Sequence, residues 1–191
     1  MKYSRRNFLK AAGSSAVAIT TVAVGTGKAV ASPLAIPTPM TEETGTFNIN
    51  GKPYQAKYEA RTTLWEVIAV KLGLTGTNRS CNRGSCGACS VLVEGIPLYS
   101  CHTLATEVIG KRIFTVEGLG DERNYVAADC GFCTAGWEVT AKGLLDKNNN
   151  PTVDEVKAAL AGHICRCAAY SAIIRTVIDT GKVLRGEAEI A

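Results

Sequence analysis

The sequence predicts an α+β protein in which a small strand-and-helix domain is followed by an all-helical one. Three observations predict it. Short runs of alternating apolar and polar residues, separated by glycine turns, extend to Val116. After Gly120 the apolar spacing becomes helical. The eight cysteines of the 191-residue chain divide into two groups of four, one in each region.

The elements follow in order. Phe47 and Ile49 alternate with polar neighbours, Asn50-Gly51 is a hairpin turn, and Tyr54 to Tyr58 continues as a second strand. Thr62 or Thr63 caps a helix carrying Leu64, Trp65, Ile68 and Leu72 on one face, with Gly73 as its stop and Trp65 in the core. A loop rich in Gly, Ser and Asn runs from Thr75 to Cys89. Ser90 to Val93 and Ile96 to Tyr99 read as strands around Gly95, and Lys111 to Val116 as a last strand. In the second region, Thr134 starts a helix bearing Trp137, Val139, Leu144 and Leu145, which Asn148-Asn149-Asn150-Pro151 ends. Thr152 and Glu155 have capping-box spacing and open a helix that closes near Gly162. A third helix is expected from Ser171 to Leu184. The boundary falls near Leu119–Asp121.

The first 31 residues carry five basic side chains and no acidic ones. Ser4 to Lys10, SRRNFLK, matches a twin-arginine export signal. An apolar stretch too short to span a bilayer follows, and Ala29-Val30-Ala31 offers a cleavage site before Ser32. Residues 1–31 are therefore expected to be a signal peptide read by the twin-arginine machinery, giving a periplasmic protein. Residues 32–44, rich in Pro and Thr, read as a linker, leaving 45–119 and 120–191 as the two domains. Without the leader, sixteen basic residues face seventeen acidic ones, so nothing favours a nucleic-acid partner.

The cysteine spacings are Cys81-x4-Cys86-x2-Cys89-x11-Cys101 and Cys130-x2-Cys133-x31-Cys165-x-Cys167. Each set supplies the four thiolates that a 2Fe–2S cluster takes, and the x4-x2 spacing on a loop is the plant-type ferredoxin pattern. Gly84, Gly87 and Ala88 would let backbone N–H groups crowd the inorganic sulfides. Cys130 and Cys133 near one helix start, and Cys165 and Cys167 near another, would sit where partial positive charge favours thiolates. Four disulfides, structural zinc at each quartet, or a single 4Fe–4S cluster in either are competing readings. His102 and His163 could mark a Rieske-type centre, but both quartets are already complete. Each histidine is therefore expected on the surface or hydrogen-bonded locally. Trp137 is expected in the core rather than at a partner interface. Arg166, between the last two cysteines, balances cluster charge, positions a partner, or is simply exposed.

The stretches CNRGSCGACSVLVEG (Cys81 to Gly95), DCGFCTAGW (Asp129 to Trp137) and HICRCAAY (His163 to Tyr170) resemble the small iron–sulfur subunit of the molybdenum hydroxylases, the xanthine dehydrogenase and aldehyde oxidoreductase family. The resemblance spans Thr46 to Leu184. It implies a β-grasp ferredoxin domain followed by a helical-bundle domain, each holding one 2Fe–2S cluster. It implies a large partner subunit whose molybdenum–pterin centre is contacted but not held by this chain. Electrons would pass from molybdenum to the cluster of Cys130, Cys133, Cys165 and Cys167, then to that of Cys81, Cys86, Cys89 and Cys101, then to a flavin subunit or a cytochrome. Asp129 and Cys167 would lie against the pterin. No catalytic acid, base or nucleophile is expected on this chain.

The sequence departs from the family at several of these positions. Asp129 stands where Gln is usual, Thr134-Ala135-Gly136 replaces Thr-Pro-Gly, and Ala168-Ala169 precedes Tyr170 in place of Thr-Gly. Only Gly120 to Asp129 lies where the family has an interdomain helix, which predicts a three-helix bundle. These departures motivate a second reading, a two-cluster ferredoxin relay serving a redox partner without molybdenum.

Overall fold

Two tight turns set up the sheet. Asn50 (φ 51°) and Gly51 (φ 76°) join β1 (Glu43–Ile49) to β2 (Lys52–Tyr58). Glu94 (φ 50°) and Gly95 (φ 76°) join β3 (Ser90–Val93) to β4 (Ile96–Tyr99). Paired left-handed residues match the right-handed strand twist, which is why Asn-Gly-like pairs occupy such hairpins. The computed structural model describes residues 41–120 and 129–188. The signal peptide, most of the linker and the 121–128 segment expected to lack a helix lie outside the described residues.

The strand order is β2-β1-β5-β3-β4, with β5 spanning Arg112–Phe114. β5 runs parallel to β1 and antiparallel to β3. Glu43 and Thr44, assigned to the linker from sequence, already pair with Tyr58 and Lys57. The last strand is shorter than the expected 111–116. The Asn50 side chain ends it by accepting from Thr115 N–H and donating to Thr115 Oγ1, both at 2.9 Å.

Thr63 caps the helical segment as expected. Its N–H donates to Glu66 Oε2 at 2.8 Å, and Glu66 N–H donates to Thr63 Oγ1 at 3.3 Å. The body, Glu66–Lys71, is a π-helix, with Leu72 N–H reaching back to Val67 O. Leu64, Val67 and Ile68 are fully buried with Phe47, Ile49, Val91, Val93 and Ile113. Trp65 is half-buried and not in this core. Its indole N–H needs an acceptor and finds the Thr77 carbonyl at 2.8 Å, while Arg79 lies 3.9 Å over the ring. Trp65 therefore clamps the cysteine loop.

The second region has three helices among the described residues: α1 (Thr134–Leu145), α2 (Val153–Leu160) and α3 (Tyr170–Leu184). Thr152 and Glu155 form the anticipated capping box. α1 is buried on nearly every side. It packs on β3 across Gly143, where an added Cβ would lie 2.7 Å from Leu92 Cδ2. Trp137, Ala141 and Leu145 face α2 and α3, meeting Val156, Leu160, Ile173 and Val177. β3 is consequently covered on both faces and is continuously apolar after Ser90.

Candidate metal centres

Three cysteines of the first quartet, Cys81, Cys86 and Cys89, lie on the loop between the π-helix and β3, and Cys101 follows β4. Cys86, Cys89 and Cys101 are buried and Cys81 is partly covered. The first turn of the helical segment secures Cys101: Leu64 N–H donates to Thr103 O and Trp65 N–H to Ser100 O. Ser100 then holds Cys89 O through both its N–H (3.2 Å) and its hydroxyl (2.7 Å). Ser85 N–H donates to Cys81 Sγ at 3.4 Å. The Ser85 hydroxyl, with the Ser85 and Arg83 N–H groups, draws the Cys81 thiol down to about 6, towards thiolate. Burial pushes Cys89 up to about 12.

The second quartet comes from two segments. Cys133 is the N-cap of α1, and Cys165 and Cys167 precede α3. The thiols meet crosswise, Cys130 with Cys167 and Cys133 with Cys165. All four line one recess with Asp129, Trp137 and Ala169. Cys130 and Cys167 are exposed, Cys133 is half-covered and Cys165 is buried. The Phe132 N–H draws Cys130 down, while burial raises Cys133 to about 11. Tyr170 Oη accepts from Cys165 N–H at 2.9 Å and fixes that backbone.

The two quartets are joined directly. Ile164 N–H donates to Cys86 O at 3.0 Å, and Asn78 Nδ2 donates to Phe132 O at 2.9 Å. His163 lies between them, 6% exposed. Its Nε2 is 3.1 Å from Gly136 O, Ser90 Oγ and Thr140 Oγ1. A carbonyl only accepts, so Nε2 carries the proton, and burial holds the ring neutral by pulling its pKa down. Gly87 (φ 74°) cannot carry a side chain here, because a Cβ would lie 2.6 Å from His163 Cδ2. An added Cβ on Gly136 would lie 2.2 Å from Gly87 O.

The structure places the residues singled out from sequence as follows. Each quartet is gathered in its own region, and Asp129 stands beside Cys167 in the second recess. His102 is exposed. Trp137 is core, 3% exposed, and also lines the recess. One expectation is corrected. The partners of His163 are not local, since Ser90 and Thr140 lie 73 and 23 residues away. Sequence reading also missed Gly136 and Gly143. Their seven-residue separation puts them on one helix face with Thr140, a smooth stripe where another backbone can approach.

Two four-sulfur sets with N–H donors and glycine-lined loops suit a group that takes only sulfur ligands and adds anionic sulfide. Residues 47–113 match the 2Fe-2S iron-sulfur cluster binding domain, and residues 115–178 match the [2Fe-2S] binding domain. The chain is thus a protein with two 2Fe–2S-binding domains, the first a β-grasp. It is 39% identical over 140 residues to the nicotine 6-hydroxylase small subunit of Paenarthrobacter nicotinovorans, covering 69% of this chain and 85% of that one. It is 34% identical over 205 residues to an aldehyde oxidoreductase iron-sulfur-binding subunit of Escherichia coli, covering 94% and 88%. The structure superposes on a chain of quinoline 2-oxidoreductase from Pseudomonas putida 86 with a TM-score of 0.70 at 38% identity, over 77% of this chain and 99% of that one. The chain belongs to the small 2Fe–2S subunits of the molybdenum hydroxylase family, the iron–sulfur subunits of xanthine and aldehyde dehydrogenase-type complexes.

Proposed function

We propose that this chain carries electrons one at a time from a large molybdenum–pterin subunit, through its second quartet and then its first, to a flavin subunit or a cytochrome. The observation that carries the reading is the hydrogen bond from Ile164 N–H to Cys86 O, which links the residue before Cys165 to a cysteine of the other quartet. The ligands are Cys81, Cys86, Cys89 and Cys101 for one cluster, and Cys130, Cys133, Cys165 and Cys167 for the other. Bound clusters supply the one-electron chemistry. The chain supplies thiolates, N–H donors, a dry interior and a fixed separation.

Direction follows from exposure. Cys167 and Asp129 lie at the open recess, where a pterin edge on the partner could approach. An ionised Asp129 only accepts hydrogen bonds and would take one from a pterin amino group. Native purification with metal analysis and low-temperature electron paramagnetic resonance tests the assignment. The expected result is roughly four irons per chain, two distinct spin signals and stoichiometric molybdenum in the complex. A complex free of molybdenum would overturn the donor assignment. It would favour the relay serving another partner, which Asp129, Ala168 and Ala169 motivate.

Export to the periplasm through the twin-arginine route belongs to the same proposal. The signal pattern at Ser4 to Lys10 supports it. This route carries folded proteins, so thiolate centres could be assembled before the chain meets an oxidising compartment. Replacing Arg5 and Arg6 with Lys should leave the protein in the cytoplasmic fraction; unchanged periplasmic recovery would refute the route.

A further inference from the structure

Among the recess-lining residues, Trp137 carries a buried polar atom, Nε1, that makes no hydrogen bond of full geometry. Buried indole N–H groups ordinarily find an acceptor. Trp137 lies one turn after Cys133 on α1, and its backbone N–H donates to Cys133 O at 3.3 Å. Helical side chains lean over the preceding turn, which places the indole above the Cys133 side chain. The ring is held by His163 (centroids 5.0 Å apart, planes at 36°) and by Tyr170 (5.8 Å, 73°).

We propose that the Trp137 indole N–H donates a hydrogen bond to the Cys133 sulfur when that sulfur is a cluster ligand, raising the reduction potential of the second centre. This rests on the reading of Cys130, Cys133, Cys165 and Cys167 as one ligand set. On reduction, one electron from the upstream donor converts one ferric iron to ferrous, and no bond to a ligand forms or breaks. The added negative charge spreads onto the sulfurs, so an N–H aimed at one of them favours the reduced state. Tryptophan is the only large apolar residue with such an N–H; Phe or Met would pack here without donating.

The test is Trp137→Phe in the full chain, with a redox titration followed by electron paramagnetic resonance. The ring contacts with His163 and Tyr170 remain and the N–H is lost. The one-electron reduction equilibrium of the second centre should fall about tenfold, ~59 mV downward. The first centre, on the same chain, should not move. A second centre of unchanged potential overturns the proposal. The native protein labelled with nitrogen-15 tryptophan gives a reading that does not depend on the variant's folding. Pulsed measurement of the reduced second centre should show coupling to one indole nitrogen, and its absence also overturns the proposal. Of the two tryptophans, Trp65 has its N–H committed to Thr77 O. A native protein with no second centre at all would refute the ligand reading itself, whereas a second centre with neither shift nor coupling refutes only the role of Trp137.

Discussion

Three of the four thiols in the first quartet are buried and Cys81 is partly covered, whereas in the second quartet Cys130 and Cys167 are exposed and only Cys165 is fully buried. The first set is wrapped by one stretch of chain, residues 81–101, with its turns closed by Ser90 and Ser100. The second is assembled from two segments that meet only because α1 and α3 pack together. The difference separates two tasks. A wrapped site insulates a relay point and can form from local sequence. An open one leaves sulfur at a surface where a partner's group can come close, and it depends on the whole fold.

The comparison can be broken most severely by removing a ligand from the open site. Cys165→Ser should lower iron from roughly four to about two per chain while leaving the spin signal of the first centre intact. Loss of both signals would show that the wrapped site depends on the open one. Gly136→Ala attacks the join between them. A Cβ 2.2 Å from the Gly87 carbonyl forces backbone apart, and overpacking of this kind costs about 1–3 kcal/mol. The expected result is a lower thermal midpoint, with shifts in both spin signals; an unchanged midpoint would mean that the two regions are not tightly coupled here.

His163→Leu removes the donor shared by Gly136 O, Ser90 and Thr140. Leaving these buried polar groups without their shared partner costs about 1–3 kcal/mol, readable by denaturant titration. The smallest expected effect is remote from both sites. Thr152→Ala deletes the α2 cap at about 1 kcal/mol and should leave both spin signals untouched. The Thr152 N–H and hydroxyl hold the Glu155 carboxyl below its ordinary pKa. That contribution is complete above the unfolded carboxylate pKa and fades as pH falls through the folded one. The Thr152 N–H survives in Thr152→Ala and the bond from Glu155 N–H to Thr152 Oγ1 does not titrate, so the stability gap between the two proteins should narrow in acid without closing. A gap of constant size across the acid range would show that the hydroxyl's bond to this carboxylate contributes nothing.

Much of the architecture was legible because its causes are local. Asn50-Gly51 and the Gly95 turn place the hairpins, Asn148 to Pro151 ends α1, and Thr152 with Glu155 opens α2. The cysteine spacings divide the eight thiols into the same two groups that the fold places in its two regions. Less legible were elements whose shape depends on a distant group. The π winding at Glu66–Lys71 has no strong sequence mark. Trp65 leaves the core because the Thr77 carbonyl offers its N–H an acceptor. β5 stops early because Asn50, far back in the chain, takes the Thr115 N–H.

By itself the sequence determined the two thiol sets, the turns and the helix starts, since spacing, φ preference and capping act over a few residues. Tertiary structure alone decided that Gly87, Gly136 and His163 meet and that Ile164 bonds Cys86. Those contacts join residues tens of positions apart, and only packing α1 against β3 and the cysteine loop brings them within hydrogen-bond range.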